Sequence, residues 1–329
     1  MTPSPAVTVL VTVYNGSRYV AESVGSVLAQ TMPNFELLII DDASTDHSLK
    51  IVREFEDPRI RLLVHEKNRG IHDTLNHGMA EAKAPLMAIM DQDDIAQPTR
   101  LERQLEHFSH NPNMLVCGTA IETFGDNPGP SWVRFHDPEN VKIALLFENP
   151  LCHPSVMMNR EALLKLGLSY PPVPLAEEYA LWVRASREGM VANLDQPLLR
   201  YRAHAQQVSR SRNLLQNRSN DQILREQLHH LGVSFSAREL IIHKMLTEGF
   251  NPLPGAARHL RRWILRLQKA NDTKRIYDAG KFADQLEHRR HATLKRLQDR
   301  LGSMSLPRKI RWQVAVTVDY LRASSNPAH

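Results

Sequence analysis

The sequence predicts an α/β fold with a mostly parallel central sheet flanked by helices, followed by a helical C-terminal region. Over roughly the first hundred residues, short apolar runs without helical period alternate with stretches of helical period, which is the pattern of βαβ units. Two of the apolar runs end in acidic residues, as strands do when their carboxyl ends form a ligand-binding edge. After Arg212 the sequence becomes basic and rich in long side chains at helical spacing.

Four apolar runs are predicted to form buried strands. The first run contains only valine, threonine and one leucine, and it has no helical period, as expected of a strand covered on both faces. The second run ends in acidic and hydroxyl side chains over residues 41–46, and the fourth leads into a cluster of carboxylates. The runs are residues 7–13, 35–40, 60–64 and 86–90.

Helices are predicted between these strands and after the last of them. The first helix is expected to be capped by Ser17 and to run to about Gln30, because its valines and a leucine share one apolar face. Between residues 110 and 157 the sequence predicts less regular segments, with turn signals at 126–130. The other predicted helices cover residues 49–52, 71–82, 98–110, 157–167 and 177–188.

Length and charge both indicate two parts. A chain of 329 residues is long enough for an α/β domain of roughly 200 residues plus a smaller appendage. Residues 214–329 contain 21 Lys and Arg against 10 Asp and Glu, a net charge of +11, whereas the preceding residues contain 20 against 26, a net charge of −6. We therefore expect an α/β domain over 1–213 and a basic, mainly helical region over 214–329, each meeting different partners.

Cysteine usage and the N-terminal residues predict a cytoplasmic protein. The two cysteines, Cys117 and Cys152, do not have the spacing of metal ligands, and they are too few for a disulfide framework. A reducing compartment is the simplest environment for such a chain. The first five residues carry no basic segment, and the apolar run that follows is too short for a signal peptide or a membrane span.

A cluster of carboxylates follows the fourth predicted strand. Asp91, Asp93 and Asp94 come directly after the apolar run 86–90. Carboxylates crowded this closely repel one another unless a cation lies between them, and Mg²⁺ or Mn²⁺ prefers such oxygen ligands, often shared with substrate phosphates. The pattern indicates a metal-dependent enzyme acting on a phosphorylated substrate, and its alternative is a solvated acidic turn that caps the next helix.

Five stretches, taken together, resemble one enzyme family. They are 11–16 (VTVYNG), 39–46 (IIDDASTD), 90–94 (MDQDD), 176–182 (AEEYALW) and 200–204 (RYRAH). In this order and spacing they resemble the inverting family 2 glycosyltransferases with the GT-A fold, across about residues 6–210. The resemblance implies a GT-A catalytic domain over 1–213 and a hexosyltransferase-type activity. In that activity a sugar moves from a nucleotide diphosphate, UDP being favoured, to a saccharide or lipid-linked acceptor.

The resemblance also implies which side chains hold the nucleotide. Asp42 can accept the N–H of a uracil ring on which Tyr14 stacks, and Thr12 lies near enough to help hold the base. Asp91 would hold the ribose hydroxyls or a metal-bound water, and Arg69 and Arg100 could meet phosphate oxygens. The alternatives are helix capping for Asp42, a packed turn aromatic for Tyr14 and a salt bridge for Arg69.

A metal site and a base complete the implied machinery. Asp93 is the main expected ligand for Mn²⁺ or Mg²⁺, and His204 could supply an imidazole to the metal or the diphosphate. At the position of the family's catalytic Asp the chain has Glu178, whose extra methylene is a departure from the pattern, and Glu177 is a substitute. Both acids could instead favour the start of a helix through its dipole. A domain that binds a sugar nucleotide or a partner without turnover is therefore the alternative function.

The basic C-terminal region contains a predicted amphipathic helix over residues 258–267. Leu260, Trp263, Ile264 and Leu267 share one face, and arginines surround the other. Such a helix could make peripheral contact with an anionic membrane, which suits a lipid-linked acceptor, or it could dock on protein. No nucleic-acid-binding module is recognisable in the sequence. The resemblance implies polysaccharide assembly for the cell envelope, in the cytoplasm or at the inner face of the membrane, with oligomerisation left open.

Overall fold

The computed structural model describes residues 4–126, 128–204, 213–247 and 257–302. It contains two compact units. One unit is made of the described residues up to Val141 together with those between Asn149 and Asn220, and the other of 142–148 together with the described residues from Asp221 onward.

The strands of the first unit form one mixed sheet. In the described residues the strand order is β3-β2-β1-β4-β7-β6-β8-β5. The bounds of the strands follow in chain order. They are β1 Val7–Val13, β2 Phe35–Asp41, β3 Ile60–Val64, β4 Leu86–Asp91, β5 Ile95–Ala96, β6 Met114–Gly125, β7 Met157–Asn159 and β8 Met190–Ala203.

Parallel pairing brings the ends of three strands to the same edge. Strand β1 lies between β2 and β4 and is parallel to both, so Thr12 is paired with Ile40 on one side and with Asp91 on the other. Strand β3 extends this parallel half, and β6 and β8 also pair in parallel, whereas β7 is antiparallel to both β4 and β6. The predicted mostly parallel sheet is thus confirmed, and the carboxyl ends of β1, β2 and β4 meet where such folds bind ligands.

Helices cover the sheet and make up most of the second unit. A 3₁₀ turn at His153–Ser155 precedes β7. The α-helices are α1 Val20–Leu28, α2 Ser48–Arg53, α3 Ile71–Glu81, α4 Arg100–His110, α5 Pro138–Ala144, α6 Arg160–Lys165, α7 Glu177–Glu188, α8 Asn213–His230, α9 Ala237–Met245, α10 Ala257–Lys274 and α11 Ala279–Gly302.

Apolar residues of the four predicted strands form the core of the first unit. The side chains of β1, β2 and β4 are almost entirely buried, and α1 places Val24 and Val27 against them. Helix α3 approaches β1 so closely that a Cβ at Gly78 would lie 2.4 Å from a methyl carbon of Leu10. Glycine suits this crossing, because a larger side chain would have to displace the buried Leu10 side chain.

Three sequence expectations about the elements are corrected by the structure. The first helix begins at Val20 rather than at Ser17, whose backbone N–H donates to Asp46 Oδ2 instead (3.0 Å). The region after residue 110, expected to be irregular, contains the long strand β6, because its run of buried side chains pairs with β7 and β8. Residues 157–159, expected to be helical, form strand β7 before α6 begins.

In the second unit the apolar face of α10 is covered by protein. Leu260, Trp263, Ile264 and Leu267 are at most 6% exposed and belong to its hydrophobic core. Trp263 Nε1 donates to Nδ1 of the buried His243 (3.2 Å). These four apolar side chains are therefore not available to a membrane, and the docked-helix alternative describes this face.

The packing of α10 does not test the prediction that its basic side contacts a membrane. The side chain of Arg258 and residues 303–329 lie outside the described residues. Peripheral membrane contact through the basic side of α10 stays a prediction. Among the helices that the structure describes, none is both long enough and apolar enough to cross a bilayer.

Candidate active site

The acidic turn after β4 is tied to the turn after β1. Ser23 Oγ in α1 donates to the carbonyl oxygen of Asp91 (2.7 Å). The Gln92 side chain accepts from the backbone N–H of Tyr14 (3.0 Å) and donates to its carbonyl oxygen (3.2 Å). Gly16 makes room for this side chain, since a Cβ there would lie 2.2 Å from Gln92 Oε1. These contacts join the turn after β4 to the turn after β1 and to α1.

Three carboxylates converge at this turn. One oxygen from each of Asp91, Asp93 and Asp94 lies within 4.8 Å of the others. His204 Nε2 lies 2.8 Å from Asp93 Oδ2, and the backbone N–H of Arg202 donates to Asp94 Oδ1 (2.8 Å). The buried Oδ2 of Asp94 has no hydrogen-bond partner among the described residues. An orphaned carboxylate oxygen within a group of hard oxygen donors fits a divalent cation.

The electrostatics of the cluster point the same way. Burial, and then the charge of Asp93, raise the pKa of Asp91 to about 7 against the opposing influence of Arg100. Burial, followed by the charges of Asp91 and Asp93, raises the pKa of Asp94 well above its usual range. Ionisation of both Asp91 and Asp94 near neutral pH is therefore unfavourable, and a divalent ion would favour it by adding positive charge.

Arg202 binds the acidic turn through its side chain and its backbone. Its guanidinium carbon lies 4.4 Å from the ring centroids of both Tyr19 and Phe124, and its Nε donates to the carbonyl oxygen of Asp93 (2.7 Å). Together with the backbone bond to Asp94, this contact fixes the turn at two points. Arg202 was not among the predicted site residues, although it lies within residues 200–204, one of the five stretches on which the resemblance is based.

The predicted nucleotide-binding residues lie along the same edge of the sheet. Thr12 is half-buried beside Asp91, Tyr14 is 47% exposed just beyond β1, and the side chain of Arg69 is exposed in the loop before α3. Asp42 follows β2 directly, and its backbone N–H donates to the carbonyl oxygen of Val13 (2.8 Å). These five side chains thus surround the ends of β1, β2 and β4.

The carboxylate of Asp42 is buried and binds the loop before α3. It accepts from His65 Nδ1 (2.7 Å), from the backbone N–H of Arg69 (2.9 Å) and from that of Gly70 (2.9 Å). Burial would raise the pKa of Asp42, but these hydrogen bonds outweigh it and lower the pKa, so the side chain is ionised. The capping alternative does not describe Asp42, because Asp46 is the acid that binds Ser48 at the start of α2.

Glu178 lies in the first turn of α7. Its side chain is half-buried and hydrogen-bonded to that of Asn149. Burial, reinforced by the charge of Glu177 and by that of Asp91, raises the pKa of Glu178 to about 8. Since Asp91 is close enough to contribute, the carboxylates after β4 and at the start of α7 share one electrostatic environment.

Glu177 has a different environment. It is 4% exposed, and although burial raises its pKa, its carboxylate accepts backbone N–H groups of Leu175, Ala176 and Glu177 itself at the start of α7. This is the helix-terminus role that negative side chains commonly have. Of the two acids, Glu178 is the more exposed and the less occupied by the backbone.

His153 and Tyr170 form a neutral pair, and Tyr170 is near enough to Glu178 for the charge of that acid to help raise the pKa of the phenol. His153 Nε2 lies 3.0 Å from the hydroxyl of Tyr170, and both rings contact Trp182. Burial lowers the pKa of His153 to about 4, so this imidazole is uncharged at neutral pH. Arg100, a candidate for phosphate contact on sequence grounds, is instead 1% exposed inside the fold, where it donates to the carbonyl oxygen of Ile89 (2.7 Å).

Known proteins resemble this chain in sequence and in fold. The family model "Glycosyl transferase family 2" matches residues 8–167. An "Uncharacterized glycosyltransferase" of Haemophilus influenzae is 31% identical over 240 residues, which cover 68% of this chain and 73% of that protein. The "O-antigen biosynthesis glycosyltransferase WbnJ" of Escherichia coli is 30% identical over 215 residues, covering 62% and 82%. The structure of S. aureus TarS 1–349 in complex with UDP-GlcNAc superposes with a TM-score of 0.55 at 17% identity, covering 87% of this chain and 92% of that one.

Proposed function

Because the chain belongs to glycosyl transferase family 2 and has the GT-A fold, we propose that it transfers a sugar from a nucleoside diphosphate with inversion at the anomeric carbon. The observation that carries this proposal is the group of three carboxylates after β4, with Glu178 near enough for the charge of Asp91 to raise its pKa. Asp91, Asp93 and Asp94 come from the end of β4 and Glu178 from the start of α7, and Asp91 raises the pKa of Glu178. The three carboxylates suit the leaving diphosphate, and Glu178 suits the incoming hydroxyl.

The donor is proposed to be a UDP-sugar. Asp42 would accept the N–H of the base through its remaining lone pair, because an ionised carboxylate offers about four acceptor sites and three are used. Tyr14 is exposed enough to stack on the base, Thr12 lies beside it, and Asp91 would take the ribose hydroxyls. The exposed side chain of Arg69 would reach a phosphate. The UDP-GlcNAc complex of TarS, which has the same fold, supports this choice of donor.

Asp93 and His204 are proposed as the residues that would hold a divalent ion, Mn²⁺ or Mg²⁺. When bound, such an ion stabilises the negative charge that develops on the leaving diphosphate. The chain contributes the rigidity of the site. Arg202 and Ser23 hold the backbone carbonyl groups of the acidic turn, so the carboxylates are preorganised and do not have to be ordered during the reaction.

Glu178 is proposed as the base that removes the proton of the acceptor hydroxyl. A carboxylate must be ionised to do this, and with a pKa of about 8 most of Glu178 is protonated at pH 7 in the free protein. Positive charge beside Asp91 would lower that pKa, so the loaded site favours the ionised base. The neutral His153 and Tyr170 on the acceptor side leave Glu178 as the group suited to receive the proton there.

The acceptor is proposed to be a saccharide or a lipid-linked saccharide used in cell-envelope polysaccharide assembly. The O-antigen relative supports this class. The proposed location is the cytoplasm or the inner face of the membrane, where the basic side of α10 would meet anionic lipids through charge rather than through inserted apolar side chains.

A second candidate function is a domain that binds a sugar nucleotide without turnover. Two observations favour it: Glu178 replaces the family's Asp, and its pKa of about 8 keeps it largely protonated at neutral pH. Both functions predict nucleotide binding. Only the enzyme predicts metal-dependent cleavage of the donor.

The two functions are distinguished by turnover of a panel of UDP-, GDP- and TDP-sugars with and without Mn²⁺. We expect Mn²⁺-dependent release of a nucleoside diphosphate, lost in Asp93→Asn and reduced about 10²-fold or more in Glu178→Gln. Glu188→Gln, an exposed acid at the other end of α7, is the matched control and should retain activity. Equal rates in Glu178→Gln and the control would remove Glu178 as the base, and UDP binding without turnover would favour the binding domain.

A further inference from the structure

Two histidines lie behind the carboxylate of Asp42. His65 follows β3 and is 8% exposed, and His77 is half-buried on α3. The His65 Nε2 and His77 Nδ1 atoms lie 2.8 Å apart, and the two rings stack with centroids 5.0 Å apart and planes 23° apart. On its other side His65 Nδ1 lies 2.7 Å from Asp42 Oδ1. The three side chains form one continuous hydrogen-bonded chain from α3 to the end of β2.

The hydrogen bonds among Asp42, His65 and His77 restrict how many protons these three side chains can carry. Asp42 is ionised and can only accept, so His65 Nδ1 carries a hydrogen and donates it. Exactly one hydrogen can then lie between His65 Nε2 and His77 Nδ1, whichever nitrogen holds it. If both rings were cationic, both nitrogens of that contact would carry hydrogens. The hydrogen bond would be lost and two like charges would face each other.

The surroundings oppose a second positive charge. Burial lowers the pKa of His77, and the charges of His65, Arg69 and Arg61 lower it further, against Glu81 alone. The groups facing the pair are therefore Asp42 from β2, Arg61 from β3, Arg69 from the loop and Glu81 from α3. These surroundings favour a pair in which a single hydrogen lies between the two rings.

We infer that His77 is a positioning residue for donor binding, acting through His65 to hold Asp42 and the loop that carries Arg69 in the geometry that receives the base and phosphates. The inference rests on the proposed function, since it assigns these residues to the nucleotide subsite. It follows from the contacts: the carboxylate of Asp42 orders the N–H groups of Arg69 and Gly70, and His65 fixes its orientation. Protonation of both rings in acid therefore weakens donor binding.

The test is binding of UDP to the full chain by titration calorimetry between pH 5.5 and pH 8. His77→Leu removes the hydrogen bond, and we expect it to raise the Kd for UDP about threefold to tenfold at pH 8. His77→Asn places an amide near the position of the ring Nδ1, so it can bond to His65 without titrating. We expect its Kd at pH 8 to stay within about twofold of the wild type. His110→Asn, on the exposed part of α4, is the matched control and should bind as the wild type does.

The pH profile separates positioning from a general loss of structure. The wild type and the control should bind UDP more weakly as the pH falls below the ordinary histidine range, and His77→Asn should lose that dependence. Turnover at saturating donor should be unchanged in His77→Asn, because His77 does not touch the reacting atoms. If His77→Leu does not fold, the profile of His77→Asn decides.

Two results would overturn the inference in different ways. Equal Kd values and equal pH profiles in the wild type and both His77 variants would refute the positioning role and leave the proposed function intact. A wild type that binds neither UDP nor GDP nor TDP at any pH would refute the proposed function, and the inference with it.

Discussion

Glu178→Gln should make the metal-free protein more stable in alkaline solution, because the wild type holds a carboxylate where ionisation is unfavourable. Burial, with the charges of Glu177 and Asp91, raises the pKa of Glu178 from 4.5 to about 8 in the folded chain. Between these values the folded chain retains a proton that the unfolded chain has released. Its free energy of unfolding therefore falls as the pH rises through this range.

The magnitude follows from the size of the change in pKa. At about 1.4 kcal/mol for each pH unit, the ionised side chain costs up to about 5 kcal/mol of folding free energy once the pH exceeds 8. Glutamine has nearly the same shape and does not ionise. We expect the variant and the wild type to differ by less than about 1 kcal/mol at pH 5 and by about 2–5 kcal/mol, in favour of the variant, at pH 9.

The assay is urea unfolding in the presence of a chelator at pH 5, 7 and 9. Glu188→Gln, exposed at the end of α7, is the control, and its difference from the wild type should not change with pH. A Glu178→Gln difference that stays constant or reverses as the pH rises would show that this carboxylate ionises without cost. The claim that burial and the nearby charges of Glu177 and Asp91 raise the pKa of Glu178 would then be refuted.

Three further predictions concern the supports of the fold and the site. Gly16→Ala should lower the free energy of unfolding by about 1–2 kcal/mol by displacing the Gln92 side chain from its two backbone hydrogen bonds. Gly25→Ala, in open space on α1, should be neutral or stabilising in the same unfolding experiment, and equal losses in both would contradict the crowding at Gly16. Arg202→Ala should weaken Mn²⁺ binding about tenfold or more, since it frees the acidic turn. Calorimetry measures this affinity, and an unchanged Kd would contradict the supporting role. Trp263→Ala should cost about 3–5 kcal/mol by emptying the core of the helical unit, and a loss below about 1 kcal/mol in urea would mean that this core is not packed as described.

Periodicity identified the parallel half of the sheet because both faces of those strands are covered. A β-branched run such as 7–13, which has valine or leucine on both faces of a strand, is best satisfied by burial on both sides. The other half was missed for the opposite reason. Strand β8 has three exposed residues in its middle and pairs with β6 through two register shifts near Pro197, so its pattern resembles a loop. Strand β7 has only three residues, too few for a period to show.

The candidate site was accessible from sequence only where a side chain belongs to a recognisable stretch. Asp91 and Asp93 follow a strand and Glu178 begins a helix, so their placement could be predicted. The roles of Arg202 and His65 could not, because each depends on contacts with backbone or side chains more than twenty residues away. A pattern in the sequence indicates which residues share an element, whereas the partners of a supporting residue are set by the packing of several elements.

The charge balance of the site implies an order to its chemistry. Near the acidic turn the guanidinium of Arg202 already lies between two rings and binds a carbonyl group, and Arg100 is buried with its own carbonyl partners. Among the described residues these two guanidinium groups are thus already engaged, and protons, or charge that arrives with the donor and its ion, would help to neutralise the carboxylates. Glu178 should lose its proton more readily once that charge is present beside Asp91. Because kcat/KM reports the free enzyme and kcat the loaded one, the acid limb of kcat should lie at lower pH than that of kcat/KM for the donor. Coincident limbs would mean that the base ionises independently of donor loading.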